Sequence, residues 1–113
     1  MVKLNAPQLD TTFAALADPT RRALVQALTA GERRVTDLAA PIDMSLPAVS
    51  KHLGVLERAG LIERHRVGRE QRCRLCPAPL KQANDYLNHY KRFWTGQLDA
   101  LADFLESPPT KES

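Results

Sequence analysis

A chain of 113 residues, 43% hydrophobic and 26% charged, has the composition of one small globular domain. No apolar run approaches the roughly 18 residues that a bilayer span needs, and the opening MVKLNAPQLD lacks the layout of a secretory leader, so a cytoplasmic location and no membrane partner are expected. The formal charge of +3 is uneven: residues 45–74 hold seven Lys/Arg against three Asp/Glu, while the remainder holds nine against ten.

In chain order, residues 1–9 read as a flexible arm, and residues 10–105 as one folded domain. Asp10 is placed to cap a short helix carrying Phe13, Ala14 and Leu16. The run Asp18-Pro19-Thr20-Arg21-Arg22 predicts a second start: Asp18 as N-cap and Pro19 at the first helical position, where a missing N–H costs nothing. Ala23, Leu24, Ala27 and Leu28 form the apolar stripe, and Gly31 ends it. Val35 fits a very short strand. Thr36 then caps a third helix that turns Leu38, Ala39 and Ile42 inward.

Ser45 opens a fourth helix over 45–59, with Pro47 tolerated in its first turn. Val49, Leu53 and Leu56 fall at i, i+4 and i+7, the buried stripe, and Gly60 stops the helix. Leu61–Arg66 and Gln71–Leu75 read as strands joined by Val67-Gly68-Arg69-Glu70. Their phase is ambiguous because Leu61 and Ile62 are both apolar. After Pro77 and Pro79, residues Leu80, Ala83, Leu87, Tyr90, Trp94, Leu98, Leu101 and Leu105 form a long apolar seam of near-heptad period, interrupted by Gly96. So small a core also favours association. Residues 106–113 read as a disordered tail.

Two short helices around a tight turn, then a basic hairpin, match the winged helix–turn–helix plan: mainly α with a small β-hairpin wing. Pro47, Lys51, Gly54 and Arg58 cluster opposite the buried stripe, flanked by Ala48 and Ser50. Small residues let a helix sit deep in a major groove, Ser50 and Lys51 can reach base edges, and the Ser45 end offers free N–H groups to a phosphate. A merely solvated polar face is the alternative for this helix alone. Arg64, Arg66, Arg69, Arg72 and Arg74 on a few residues of ribbon weigh against it, since they repel one another unless Glu63 and Glu70 or a polyanion answers them. The candidate DNA contacts are Ser45, Pro47, Ala48, Ser50, Lys51, His52, Arg66, Arg69 and Arg72, with double-stranded operator DNA as partner. His52 lies between the two faces and reads as a packed or phosphate-contacting residue rather than a metal ligand.

The runs FAALADPTRRALVQAL, VTDLAA and LPAVSKHLGVLERAGLIERHRVGREQRCRL resemble the ArsR-type winged-helix repressors of bacteria over roughly residues 10–105. The resemblance implies a homodimer that binds a pseudo-palindromic operator and blocks transcription, dimerised through its terminal helices. That assigns Phe13, Leu16, Leu87, Tyr90, Trp94, Leu98, Leu101 and Leu105 to the interface. The family's known metal sites are not expected here: Arg34 and Thr36 stand where one type places a Cys-x-Cys pair, and Asp85, His89, Asp99 and Asp103 lack the spacing of the other. No metal and no cofactor is therefore expected, while an unknown effector acting on the seam helix stays open.

Cys73 and Cys76 read as a buried small residue and a loop thiol, with redox sensing or half a zinc site as alternatives. No paired carboxylates, nucleophile–histidine set or phosphate-cradling glycine loop suggests an enzyme. The rival function classes are a winged-helix protein-interaction module and a thiol-based redox-sensing regulator.

Overall fold

The computed structural model describes residues 6–106, most of them helical. In chain order they are α1 (Ala6–Ala15), α2 (Pro19–Leu28), β1 (Arg33–Arg34), α3 (Val35–Ala39), α4 (Leu46–Arg58), β2 (Ile62–Val67), β3 (Glu70–Leu75) and α5 (Pro77–Glu106). Among the described residues no helix is long and apolar enough to cross a membrane. The chain divides after Ala83 into two units.

In the first unit, α1 begins earlier than expected. Residues 6–9 of the expected arm are helical, residues 1–5 lie outside the described residues, and Asp10 sits inside the helix rather than capping it. The inward face is Leu9, Thr12 and Ala15, while Phe13 and Ala14 are exposed. The junction to α2 follows from the Asp18–Arg22 run. Asp18 accepts from the N–H groups of Thr20 (2.8 Å) and Arg21 (3.1 Å), closing the start of α2. Arg21 donates back to the carbonyls of Ala15 (2.7 Å) and Ala14, and Arg22 to that of Leu16 (2.8 Å). The two guanidinium groups thus satisfy carbonyls that the end of α1 leaves open. Within α2, Leu24 and Leu28 are buried and Ala23 faces out.

The short strand is Arg33–Arg34, not Val35, which opens α3 as a buried residue. Thr36 lies within that helix; Arg34 occupies the cap position without a side-chain cap bond. β1 adds to the hairpin, giving an antiparallel sheet of order β1-β3-β2. Val67 pairs with Glu70, so the wing loop is two residues, with Gly68 at φ +64°. Both Leu61 and Ile62 are buried, for different reasons. Leu61 turns the corner after Gly60, its N–H on Leu56 and its carbonyl holding the N–H of Cys76; Ile62 begins the strand opposite Leu75.

α4 has the expected cap, Ser45 accepting from the N–H of Ala48 (3.2 Å), and the expected stripe: Val49, Leu53 and Leu56 have no exposure at all. They pack with Leu24, Leu28, Leu38, Leu61, Ile62 and Cys73. Each such aliphatic side chain contributes about 1.5–3 kcal/mol on burial.

α5 starts at Pro77, its two prolines falling in the first turn where they are tolerated. Leu80 packs on the core and Ala83 is buried. In the second unit, Leu87, Tyr90, Phe93, Trp94, Leu98, Leu101, Phe104 and Leu105 are all exposed.

Candidate nucleic-acid interface

Helix α4 presents Lys51 and Arg58 on the side away from its buried stripe, with Ser45 and Pro47 exposed at its start and Ala48 and Ser50 half-buried. Gly54, expected on that outer face, is buried: the guanidinium groups of Arg58 and Arg64 cover it. His52 turns toward α2. Its Nδ1 lies 3.2 Å from Arg21 and 3.9 Å from Asp18 Oδ1. Since an arginine can only donate, Nδ1 accepts and the neutral ring carries its proton on Nε2. The N–H groups of Arg21 and Thr20 hold the Asp18 carboxyl below the usual carboxylate range.

Strand alternation sorts the arginines of the wing. Arg64 and Arg66 share the side of β2 that carries Ile62, the side of α4 and the core, together with Cys73 and Leu75 of β3. Arg72 and Arg74 point the other way, beside His65 and Glu63. There they enter a lattice of opposite charges: Arg74 with Glu63; Arg72 with Glu70 (2.7 Å) and Glu32 (3.6 Å); His65 with Glu32 (3.2 Å). Arg34 joins through Asp37 (2.9 Å) and Glu70 (3.2 Å). The side-chain bonds from Arg34 hold Asp37 below the ordinary carboxylate range, and those from Arg72 and Arg34 do the same for Glu70. Arg72 thus faces away from α4 with its guanidinium on Glu70 and Glu32. The expected repulsion among the wing arginines is largely answered by carboxylates.

Four cations of the α4–wing region form no hydrogen bond or ion pair among the described residues: Lys51, Arg58, Arg66 and Arg69. An open cleft of about 260 Å³ lies beneath the wing tip, lined by Arg69, Glu70, Gln71, Leu46, Arg34, Val35 and Thr36. It joins the loop of the hairpin to the starts of α3 and α4.

Cys73 and Cys76 are free thiols, the first buried and the second half-buried. Burial pushes the Cys73 thiol up to about 11, and burial followed by the neighbouring Glu63 raises Cys76. A sensor thiol needs the opposite shift. The residues do not fit a resident metal: Arg34 is a cation engaged with two carboxylates, Thr36 is no soft ligand, and among the described residues no group of three or more His, Cys, Asp or Glu is disposed around one point.

Sequence reasoning missed Arg64 and Arg21, the two arginines that tie α4 to its surroundings. For Arg64 a signal was present. Ser50, Gly54 and Glu57 stand at i, i+4 and i+7, two polar groups with a bare backbone between them, a slot shaped for a flat group.

A helix–turn–helix with a basic, three-stranded wing defines the winged helix–turn–helix class. The Helix-turn-helix domain family matches residues 16–65. The HTH-type transcriptional regulator Rv2034 of Mycobacterium tuberculosis is 39% identical over 98 residues, 87% of this chain and 89% of that one. The crystal structure of an ArsR family transcriptional regulator superposes with a TM-score of 0.75 at 38% identity, covering 84% of this chain and 97% of the other. The solution structure of a homodimeric winged helix–turn–helix DNA-binding domain from Mycobacterium bovis, described as a possible ArsR-family regulator, gives 0.59 at 26% identity, covering 99% and 97%. The chain belongs to the ArsR family of winged helix–turn–helix transcriptional regulators.

Proposed function

We propose that this regulator is a homodimeric repressor in the cytoplasm that occupies a pseudo-palindromic operator. Each α4 enters a major groove and presents Ser45, Pro47, Ala48, Ser50 and Lys51. Arg66 and Arg69 of the wing lie along the flanking phosphates, and His52 offers Nε2–H at the α2 side. The dimer closes over the apolar residues Leu87, Tyr90, Trp94, Leu98, Leu101 and Leu105, and Phe13 and Leu16 also take part in dimerisation. Half-sites then lie about one helical turn apart or a multiple of it. An effector that bends the seam would change the spacing of the two readers.

One observation carries this reading: the cations of the region sort by position. Those on the far side of the sheet are neutralised by carboxylates, whereas Lys51, Arg58, Arg66 and Arg69 keep their charge unanswered. Unanswered charge beside a helix start is what a polyanion requires. The test is a titration of duplex DNA at several salt concentrations. The affinity is expected to fall linearly on logarithmic axes, and Arg69→Ala to flatten that slope by about one unit while weakening all sequences alike. An affinity insensitive to salt would point instead to a protein-docking module.

A further inference from the structure

We infer that Arg64 is the positioning residue that sets what Ser50 reads: it holds the Ser50 hydroxyl as an acceptor and so leaves its one proton to a hydrogen-bond acceptor on the major-groove edge of a base. The inference rests on the DNA-reading function proposed above and deepens it.

Arg64 reaches from β2 across two turns of α4. Its Nε donates to Glu57 Oε1 (3.0 Å) and a terminal nitrogen donates to Ser50 Oγ (3.1 Å). Between those anchors the guanidinium passes over Gly54, where an added Cβ would sit 3.6 Å from its other nitrogen. A guanidinium has five donors and no acceptor, so the Ser50 oxygen can only accept from it. Helical serine and threonine hydroxyls commonly give their proton to the carbonyl four residues back; Thr11 does so here, to Pro7 at 2.8 Å. Ser50 does not: among the described residues its only side-chain bond is the one from Arg64. The hydroxyl proton is therefore unspent, on a half-buried side chain at the flank of the outward face of α4.

The groove edge offers acceptors at purine N7, guanine O6 and thymine O4, and donors at adenine N6 and cytosine N4. A hydroxyl free to rotate can serve either set. One that already accepts from a fixed cation keeps its proton and one lone pair; the cation polarises the O–H toward donation and opposes the approach of a base amino group, so the first set is favoured. Arg64 uses two of its five donors on Glu57 and Ser50, and no role on a phosphate is assigned to it. Glu57 keeps the guanidinium in the plane that meets Ser50, which gives this carboxylate a function at a distance from the base.

The test uses the full chain and a duplex selected by the wild-type protein from a randomised library, together with every symmetric single-base-pair variant of that duplex. Ser50→Ala is expected to lose discrimination at one base pair per half-site by about threefold to tenfold, the worth of one hydrogen bond. Arg64→Met is expected to relax the same base pair, with other positions and the salt slope unchanged. Glu57→Gln, at an exposed position, loosens the same clamp without removing Arg64 and is expected to relax that base pair to a smaller degree. The inference is overturned if Arg64→Met keeps all discrimination and lowers the salt slope by about one, as a phosphate contact would. It is equally overturned if Ser50→Ala relaxes no position, or if the two variants relax different ones. A wild-type chain that selects no sequence at all defeats the functional reading instead, and the two failures are thereby told apart.

Discussion

The two units spend the same kinds of residue in opposite ways. The first buries Leu24, Leu28, Leu53, Leu56 and Leu61 almost completely, caps α2 and α4, and sets Arg34, Arg64, Arg72 and Arg74 against carboxylates. The second is a helical segment with a comparable density of large apolar side chains, most of them exposed, from Tyr90 at 38% to Phe104 at 77%. Exposed apolar patches of that extent mark interaction surfaces. The difference separates folding from assembly: one unit contains its own core, and the other holds half of one. Within the second unit the aromatic residues already meet edge to face, Tyr86 with Tyr90 at 5.3 Å and Phe93 with Trp94 at 5.2 Å. The seam is thus partly ordered against itself before any partner covers it.

Breaking the first unit has the larger effect. Leu53→Ala leaves a cavity at a fully buried site and is expected to lower stability by about 2–5 kcal/mol, measured by chemical denaturation. Because Leu53 stands in the stripe beneath Lys51, DNA affinity should fall with it. The complementary break is Trp94→Ala in the seam. Aromatic anchors at interfaces carry about 2 kcal/mol or more, so sedimentation is expected to show at least a tenfold weaker dimer, with the far-ultraviolet spectrum retained. A dimer constant that did not move would remove the seam from the interface.

The legible parts of the molecule were those where a local pattern and the tertiary environment agree. Val49, Leu53 and Leu56 share a helical period, Ser45 caps them, Gly60 stops them, and the core takes them as they stand. Leu24 and Leu28 were readable for the same reason. The inward face of α1 was not, because its centre is Thr12, a polar residue at full burial, and its other anchor, Leu9, fell in the expected arm. For the candidate site the decisive matter was parity. Pairing Arg66 with Gln71 forces Arg72 opposite His65, on the other side of the sheet, because side chains alternate along a strand. The sign of each charge was evident in the sequence; the carboxylates that neutralise Arg34 and Arg72 come from Glu32, Asp37 and Glu70, and their convergence depends on β1 joining the hairpin. Ser50, Gly54 and Glu57 mark the slot over α4 in the sequence, but that Arg64 fills it depends on the angle between α4 and β2, which no local pattern encodes.

Thr12 offers a gentler way to sharpen the contrast between the two units. Its hydroxyl is fully buried and is the one such side-chain atom among the described residues without a hydrogen-bond partner. A buried hydroxyl left unpaired costs about 1–3 kcal/mol, and valine has nearly the same shape. Thr12→Val is therefore expected to stabilise the reader unit by about 1 kcal/mol, seen as a shift of the denaturation midpoint, with the dimer constant unaltered. A loss of stability would mean that the hydroxyl has a use that the fold alone does not reveal.

The smallest effect comes from acid. Asp18, Asp37 and Glu70 all belong to the first unit, and all are held below their ordinary carboxylate range, Asp18 chiefly by the Arg21 N–H, Asp37 by Arg34, and Glu70 by Arg72 and Arg34. A carboxyl whose folded value is depressed contributes stability that is complete above its unfolded value and is lost as pH falls through the folded one. The thermal midpoint is thus expected to be insensitive to these three groups from about pH 8 to about pH 5 and to decline below roughly pH 4.5. The decline is expected to be shallow, because these ion pairs are solvent-exposed and such pairs contribute little. Added salt should flatten it further where it arises from Asp37 and Glu70, whose partners are surface arginines. It should persist where it arises from Asp18, whose carboxylate is bonded to the N–H groups at the head of α2. Asp18→Ala should remove the salt-resistant part alone, because it takes away the carboxylate that closes the start of α2.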